Sequence, residues 1–224
     1  MARSEDEHLQ SDAYLAKLAA QAEAAARVEQ EAVRLRSTIE AAGFPLTSIN
    51  DIVTTYPRLP LGLSAVLMEL LPSVSELGNL DMLVRSLGAS HSSIDPTPLI
   101  SLFEETGSDA IRLTIANTFA ESRPRLAAAW ILKSLQEPRY GRSREMLHLA
   151  AARTSAPADV NPVLVAMLKE MPGHAAMGLA ESGTAEEIPA LQAAAQELKG
   201  WRRTEIERAI KKIVKRHRAH EGPA

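Results

Sequence analysis

The chain has no cysteine among its 224 residues, which excludes disulfides, thiolate nucleophiles and thiolate metal sites. Aromatic residues are scarce too: three Phe, three Tyr and two Trp make up 4% of the sequence. A core must then be assembled from Leu, Ile, Val, Met and Ala, side chains small enough for close helix-on-helix packing. No apolar run reaches the roughly 18 residues that a bilayer-spanning helix needs. The polar start MARSEDEHLQSD lacks the apolar centre of a secretory signal. The expectation is a cytoplasmic protein with no membrane partner. Also missing are an HExxH pair, a glycine-rich phosphate cradle and a GxSxG elbow. The histidines, at positions 8, 91, 148, 174, 217 and 220, are scattered. Neighbouring carboxylates such as Glu104 and Glu105, or Glu186 and Glu187, diverge when placed on a helix. No metal, cofactor or catalytic residue is expected.

What the sequence does contain is a repeat. Four apolar quartets, each spaced i, i+3, i+4, i+7, follow one another: Leu63, Val66, Leu67, Leu70; Pro96, Leu99, Ile100, Phe103; Ala128, Ile131, Leu132, Leu135; and Val160, Val163, Leu164, Met167. Their starts are 33, 32 and 32 residues apart. Each quartet is one buried stripe of a helix, and a period near 32 leaves room for a second helix per unit. The second helices are expected over about 77–87, from the turn at Gly107 and Ser108 onward, over about 142–153 and over about 174–181. A fifth pair begins at the capping-box spacing of Thr184 and Glu187 and ends in a helix over about 202–218, striped by Ile206, Ile210, Ile213 and Val214. Asp95 with Pro96, and Asn161 with Pro162, read as N-cap and first-turn proline. The predicted fold is all-α, a right-handed solenoid of about five antiparallel helix pairs preceded by a long N-terminal helix.

That first helix occupies residues 1–43, with about the first 12 frayed, and ends at Gly43 as the residue after the cap, with Pro45 barring continuation. The array covers 44–218, and 219–224 form a disordered tail. Tyr14, Leu18, Gln21, Ala25, Val28, Ala32, Leu35, Ile39 and Ala42 alternate at four and three residues, a coiled-coil-like seam. Two uses are open to it: folding back on the first repeat, or self-association. Charge is unevenly spread. From Lys199 to His220 nine Lys or Arg stand against Glu205 and Glu207, a local +7 in a chain of net −3.

The residues opening the second helices carry a family likeness. Asp109, Ile111, Arg112, Ala116 and Phe119, followed one period later by Arg144, Leu147 and Ala151, resemble HEAT repeats of the short bacterial type found in bilin lyases. The fourth unit keeps Ala176 and Ala180 after His174 but has no arginine in this register. The tails Phe119-Ala120-Glu121-Ser122 and Leu179-Ala180-Glu181-Ser182 repeat one another. The resemblance implies an armadillo-like scaffold and leaves function to the sites it carries. The most site-like cluster is Arg139, Tyr140, Arg142 and Arg144, with Arg112 one period earlier. It points to a patch that binds an acidic protein partner along the ridge of second helices. Two other roles are weighed. Nucleic-acid binding or HEAT-like base repair would use the basic C-terminal helix, but only Trp201 is there to stack on bases. Bilin-lyase-like chromophore binding has nothing beyond the repeat to favour it. The expectation is a non-enzymatic scaffold, possessing an immunity or regulatory role as one version.

Overall fold

The computed structural model describes the backbone of residues 2–221 and the side chains of residues 13–219. Among them every regular element is helical: α1 (Ala2–Ala41), α2 (Ile52–Thr55), α3 (Leu61–Leu70), α4 (Leu77–Ser86), α5 (Thr97–Glu105), α6 (Asp109–Ser122), α7 (Ala128–Leu135), α8 (Leu147–Thr154), α9 (Pro157–Met167), α10 (Pro172–Ser182), α11 (Ile188–Gln196) and α12 (Gly200–Glu221), with short 3-10 turns between. The frayed ends expected from the sequence fall largely outside the described side chains.

The four quartets fall on α3, α5, α7 and α9, with Pro96 as the N-cap residue just before α5, and every member is buried or half-buried. The helices that follow them, α4, α6, α8, α10 and α12, pack each on the next in chain order. Within a unit, α5 packs on α6, α7 on α8, α9 on α10 and α11 on α12. One continuous buried cluster results, running from Leu35 to Ile213.

Small residues set the spacing of the second helices. Ala116 and Ala120 on α6, Ala150 and Ala151 on α8, Ala175 and Ala176 on α10, and Ala209 on α12 are all fully buried. At Gly178 a Cβ would lie 2.8 Å from the His148 carbonyl of α8, so only glycine allows this approach of α10 to α8. The large aliphatic side chains around these contacts, such as Leu83, Ile115, Leu147 and Leu179, are fully buried, each contributing about 1.5–3 kcal/mol.

Polar side chains stitch one second helix to its neighbour. Thr118 on α6 donates to Val84 O of α4 at 2.8 Å. Arg153 on α8 donates to Ala120 O at the end of α6, and Arg216 on α12 to Ala180 O and Glu181 O at the end of α10. The last carbonyls of a helix have no intrahelical donor, so these arginines serve as C-terminal caps supplied by the next unit. The recurrent Ala-Glu-Ser tails are the sites they cap.

The N-terminal helix divides into two parts. From Val28 onward it lies on the body, with Leu35 and Ile39 fully buried. Glu31 anchors it, accepting hydrogen bonds from Ser75 N–H (2.7 Å), Ser75 Oγ, Glu76 N–H and Asn79 Nδ2 at the start of α4. Burial would raise its pKa, but these donors together hold the carboxyl below its ordinary value. Before Ala24 the side chains are exposed, including Tyr14, Leu15 and Leu18. Gly43, with φ 91°, turns the chain after the helix, as placed from the sequence.

Two boundaries differ from expectation. The second helix of the third unit starts at Leu147, because Pro138–Arg144 form 3-10 turns broken by the non-helical Gly141. In the fourth unit Pro157 opens α9, and Pro162 lies inside that helix on its exposed side. Asn161 is therefore no cap. It is buried, accepts from Ser182 Oγ at 2.7 Å, and ties α9 to the end of α10.

Candidate binding cleft

Three successive helix starts, those of α6, α8 and α10, follow the three quartet helices α5, α7 and α9. Each quartet ends in a residue whose carbonyl needs a donor: Phe103, Leu135 and Met167. At the first, Arg112 Nε donates to Phe103 O at 3.0 Å, Nη2 donates to Thr106 O, and Nη1 pairs with Asp109 at 3.1 Å. At the second, Arg144 Nη1 donates to Leu135 O at 3.2 Å, Nε donates to Gly141 O, and Nη2 pairs with Glu170. Both arginines reach back nine residues to equivalent carbonyls. At the third, the backbone supplies the donors: Met171 N–H and Glu170 N–H both bond to Met167 O. The arginine register falls there on Ala176, and no guanidinium is required.

The five residues singled out from sequence thus separate. Arg144 is only 2% exposed and lies within the fold. Tyr140 is also buried, edge-on to Phe103 at 5.0 Å in a cluster that includes Trp130 and Phe119. Arg139 covers the outer face of that ring at 4.6 Å and donates to its hydroxyl, while Arg112 approaches it at 5.8 Å. Only Arg139 and Arg142 are exposed.

Arg142 borders a cleft of about 780 Å³ between the 3-10 turn before α8 and the starts of α10 and α12. Its side chain, 87% exposed, pairs through Nε with Glu145 Oε1 at 2.9 Å. Glu145 also faces His174 Nε2, 3.7 Å away on α10. Trp201 and Arg202, from the first turn of α12, close the far side. The Trp201 ring lies on Gly173, where any Cβ would overlap it, and meets the His174 ring edge-on at 5.3 Å. Glycine is needed there for contact with the indole. α10 begins at Pro172 without a side-chain cap. Ala175 N–H bonds back to Met171 O, and the first-turn N–H groups of Gly173 and His174 have no intrahelical acceptor.

Beneath the cleft is His148, fully buried, with its ring 6.2 Å from that of His174. Its Nδ1 faces Arg144 O at 3.1 Å and Glu145 O at 3.2 Å, so the proton resides on Nδ1. Nε2 is buried without a partner. Burial pushes this imidazole down to about 4, outweighing the two carbonyls. His174 is also lowered, by burial first and by the Arg142 and Arg202 charges, against the pull of Glu145. Both rings are neutral at pH 7.

Each cleft carboxylate already has a guanidinium, Glu145 with Arg142 and Glu170 with Arg144. Among the described residues no three His, Asp or Glu side chains are grouped to hold a metal ion. The rim carries two exposed guanidinium groups, Arg202 and the Glu145-paired Arg142, beside the exposed indole of Trp201. His174 and Arg202 were not expected as site residues, and Trp201 was considered only for stacking on bases in the basic C-terminal helix; the missing arginine of the fourth unit was a signal for the region of His174 alone. Comparison with protein-family models, curated proteins and solved structures gives no match for the chain.

Proposed function

We propose that the chain is a non-enzymatic scaffold of the HEAT-like kind, a right-handed solenoid of about five antiparallel helix pairs, that holds an acidic segment of a protein partner in the cleft at the starts of α8, α10 and α12. The observation that carries this reading is the exposed rim formed by Arg142 and Arg202 beside Trp201 and the uncapped start of α10. Carboxylates of an extended segment would meet the guanidinium groups, while an apolar neighbour rests on Trp201. Successive packing of the second helices supports the solenoid, because it lines their starts along one edge. No described helix is long and apolar enough to cross a membrane, which accords with a soluble partner in the cytoplasm.

Part of the basic charge of α12 is engaged within the fold: Arg216 caps α10 and Lys212 pairs with Glu181. The test is affinity capture from the source cell with the wild type and with an R142A/R202A variant, accompanied by Trp201 fluorescence during titration with a glutamate-rich peptide. The expected result is loss of the captured partner and of the fluorescence response in a variant that melts normally. Capture undiminished by the double substitution would refute the cleft as the site.

A further inference from the structure

The charges of α12 change character along its length. In the first half they are mixed: Arg203 pairs with Glu207 at 2.9 Å and Arg208 with Glu205 at 2.6 Å. In the second half no carboxylate occurs before Glu221. Lys212 and Arg216 turn to the end of α10. Lys211, Lys215 and Arg218 do not: they are exposed and make no hydrogen bond or ion pair among the described residues. Their spacing of i, i+4 and i+7 sets them on one side of the helix. It is the side away from Ile206, Ala209 and Ile213, which are buried against the body, so neither α10 nor α11 covers it.

Two ordinary reasons for such a row fall short. The outer face at the end of a stack must be polar, but the first half of the same helix meets that need with paired charges. Cations also stabilise a helix C-terminus, yet only within its last turn, and Lys211 and Lys215 precede it. Like charges at these spacings repel and weaken the helix. A ligand carrying a row of negative charges removes that cost.

We infer that Lys211, Lys215 and Arg218 form a docking surface for the phosphate backbone of duplex DNA, bound without regard to sequence. The row spans about 10 Å at 1.5 Å per residue. One strand of a B-form duplex presents a phosphate for every ~3.4 Å of its axis, so each flexible cation reaches one of its own. The exposed side of a single helix suits the major groove of B-form DNA, about 12 Å wide, whereas that of an RNA duplex is deep and narrow. Single strands are held on aromatic platforms. The row has none, and Trp201 is at the other end of α12, in the cleft. A membrane surface calls for apolar side chains that sink into it, and Thr204, Arg208, Lys211, Lys215 and Arg218 give this side no large apolar group. The rest of the chain is net acidic, which steers the duplex to this end alone.

The test is fluorescence anisotropy of a labelled DNA duplex of about 20 base pairs, titrated with the full chain from about 20 to 150 mM salt. Binding should weaken with salt at a log–log slope of about −2.7, from three phosphates neutralised. The triple variant Lys211→Gln, Lys215→Gln, Arg218→Gln should lower the low-salt affinity about a hundredfold and melt as the wild type does. Lys215→Gln alone should reduce the slope by about 0.9, a change that a folding defect would not produce. The R142A/R202A variant should bind the duplex like the wild type, and the triple variant should keep the partner captured by the cleft, so the two sites are tested separately. Absence of binding at the lowest salt, binding undiminished by the triple substitution, or tighter binding to an RNA duplex, a single strand or phosphatidylserine vesicles would each overturn the inference.

Discussion

The starts of α8 and α10 solve one problem in two ways, and a cleft lies beside the second of them. At α8 the orphaned carbonyl of Leu135 is met by the Arg144 guanidinium, which fills the junction and is itself buried. At α10 the corresponding carbonyl of Met167 is met by the backbone N–H groups of Glu170 and Met171. Ala176, in the arginine register, is fully buried, and the cleft is lined by Glu170 to His174 at this helix start. A repeated arginine is therefore a mark of structure here, and the cleft lies beside the helix start where it is missing. The non-repeating Arg142, two residues from Arg144, is left at the surface, as is Arg139.

This contrast can be broken by substitution. The largest expected effect is that of Arg144→Ala, which strands Leu135 O and Gly141 O and removes the partner of Glu170. A loss of about 4 kcal/mol in urea unfolding is expected. A loss below about 1 kcal/mol would mean that the junction is closed by something else.

The pH dependence of the region beneath the cleft comes next. His148 is held near 4 in the folded chain and returns to about 6.5 when unfolded. Its folded pKa is depressed, so its contribution is fully present above about pH 6.5 and is lost as pH falls toward 4. The total is about 3 kcal/mol. His148→Gln should flatten that slope in denaturation midpoints recorded across this range, and an unchanged slope would assign it to other groups.

Arg112→Ala should cost less, about 2 kcal/mol, because its side chain is partly exposed and water can replace it at Thr106 O. A larger loss than for Arg144→Ala would reverse the ranking of the two junctions. Least of all should follow from Arg142→Ala: an unfolding curve that overlays the wild type. A shifted midpoint would show that Arg142 is part of the structure and not of a binding rim.

Local patterns were readable because their causes are local. The quartets foretold α3, α5, α7 and α9, since burial of one helical face imposes a period of 3.6 on the chain itself. The capping box at Thr184 and Glu187 is formed as expected, each group bonding within three residues. Pro162 misled because the same dipeptide suits a first turn or an exposed position within a helix, and Pro157 already opened α9. The Arg139–Arg144 cluster was read as one surface because the sequence shows neighbours, whereas burial is decided by partners elsewhere. Arg144 is enclosed by Glu170, 26 residues away, and Tyr140 by Phe103.

Composition and periodicity were enough to dictate an all-helical chain of paired helices with alanine-lined contacts, because helix formation and one-sided burial are properties of a dozen consecutive residues. Which arginines are buried, which half of α1 is covered, and that Arg142, His174, Trp201 and Arg202 border one cleft depended on how separate helices came together. Those outcomes follow from hydrogen bonds and contacts between residues roughly a repeat or more apart, and no stretch of sequence contains both ends of such a contact.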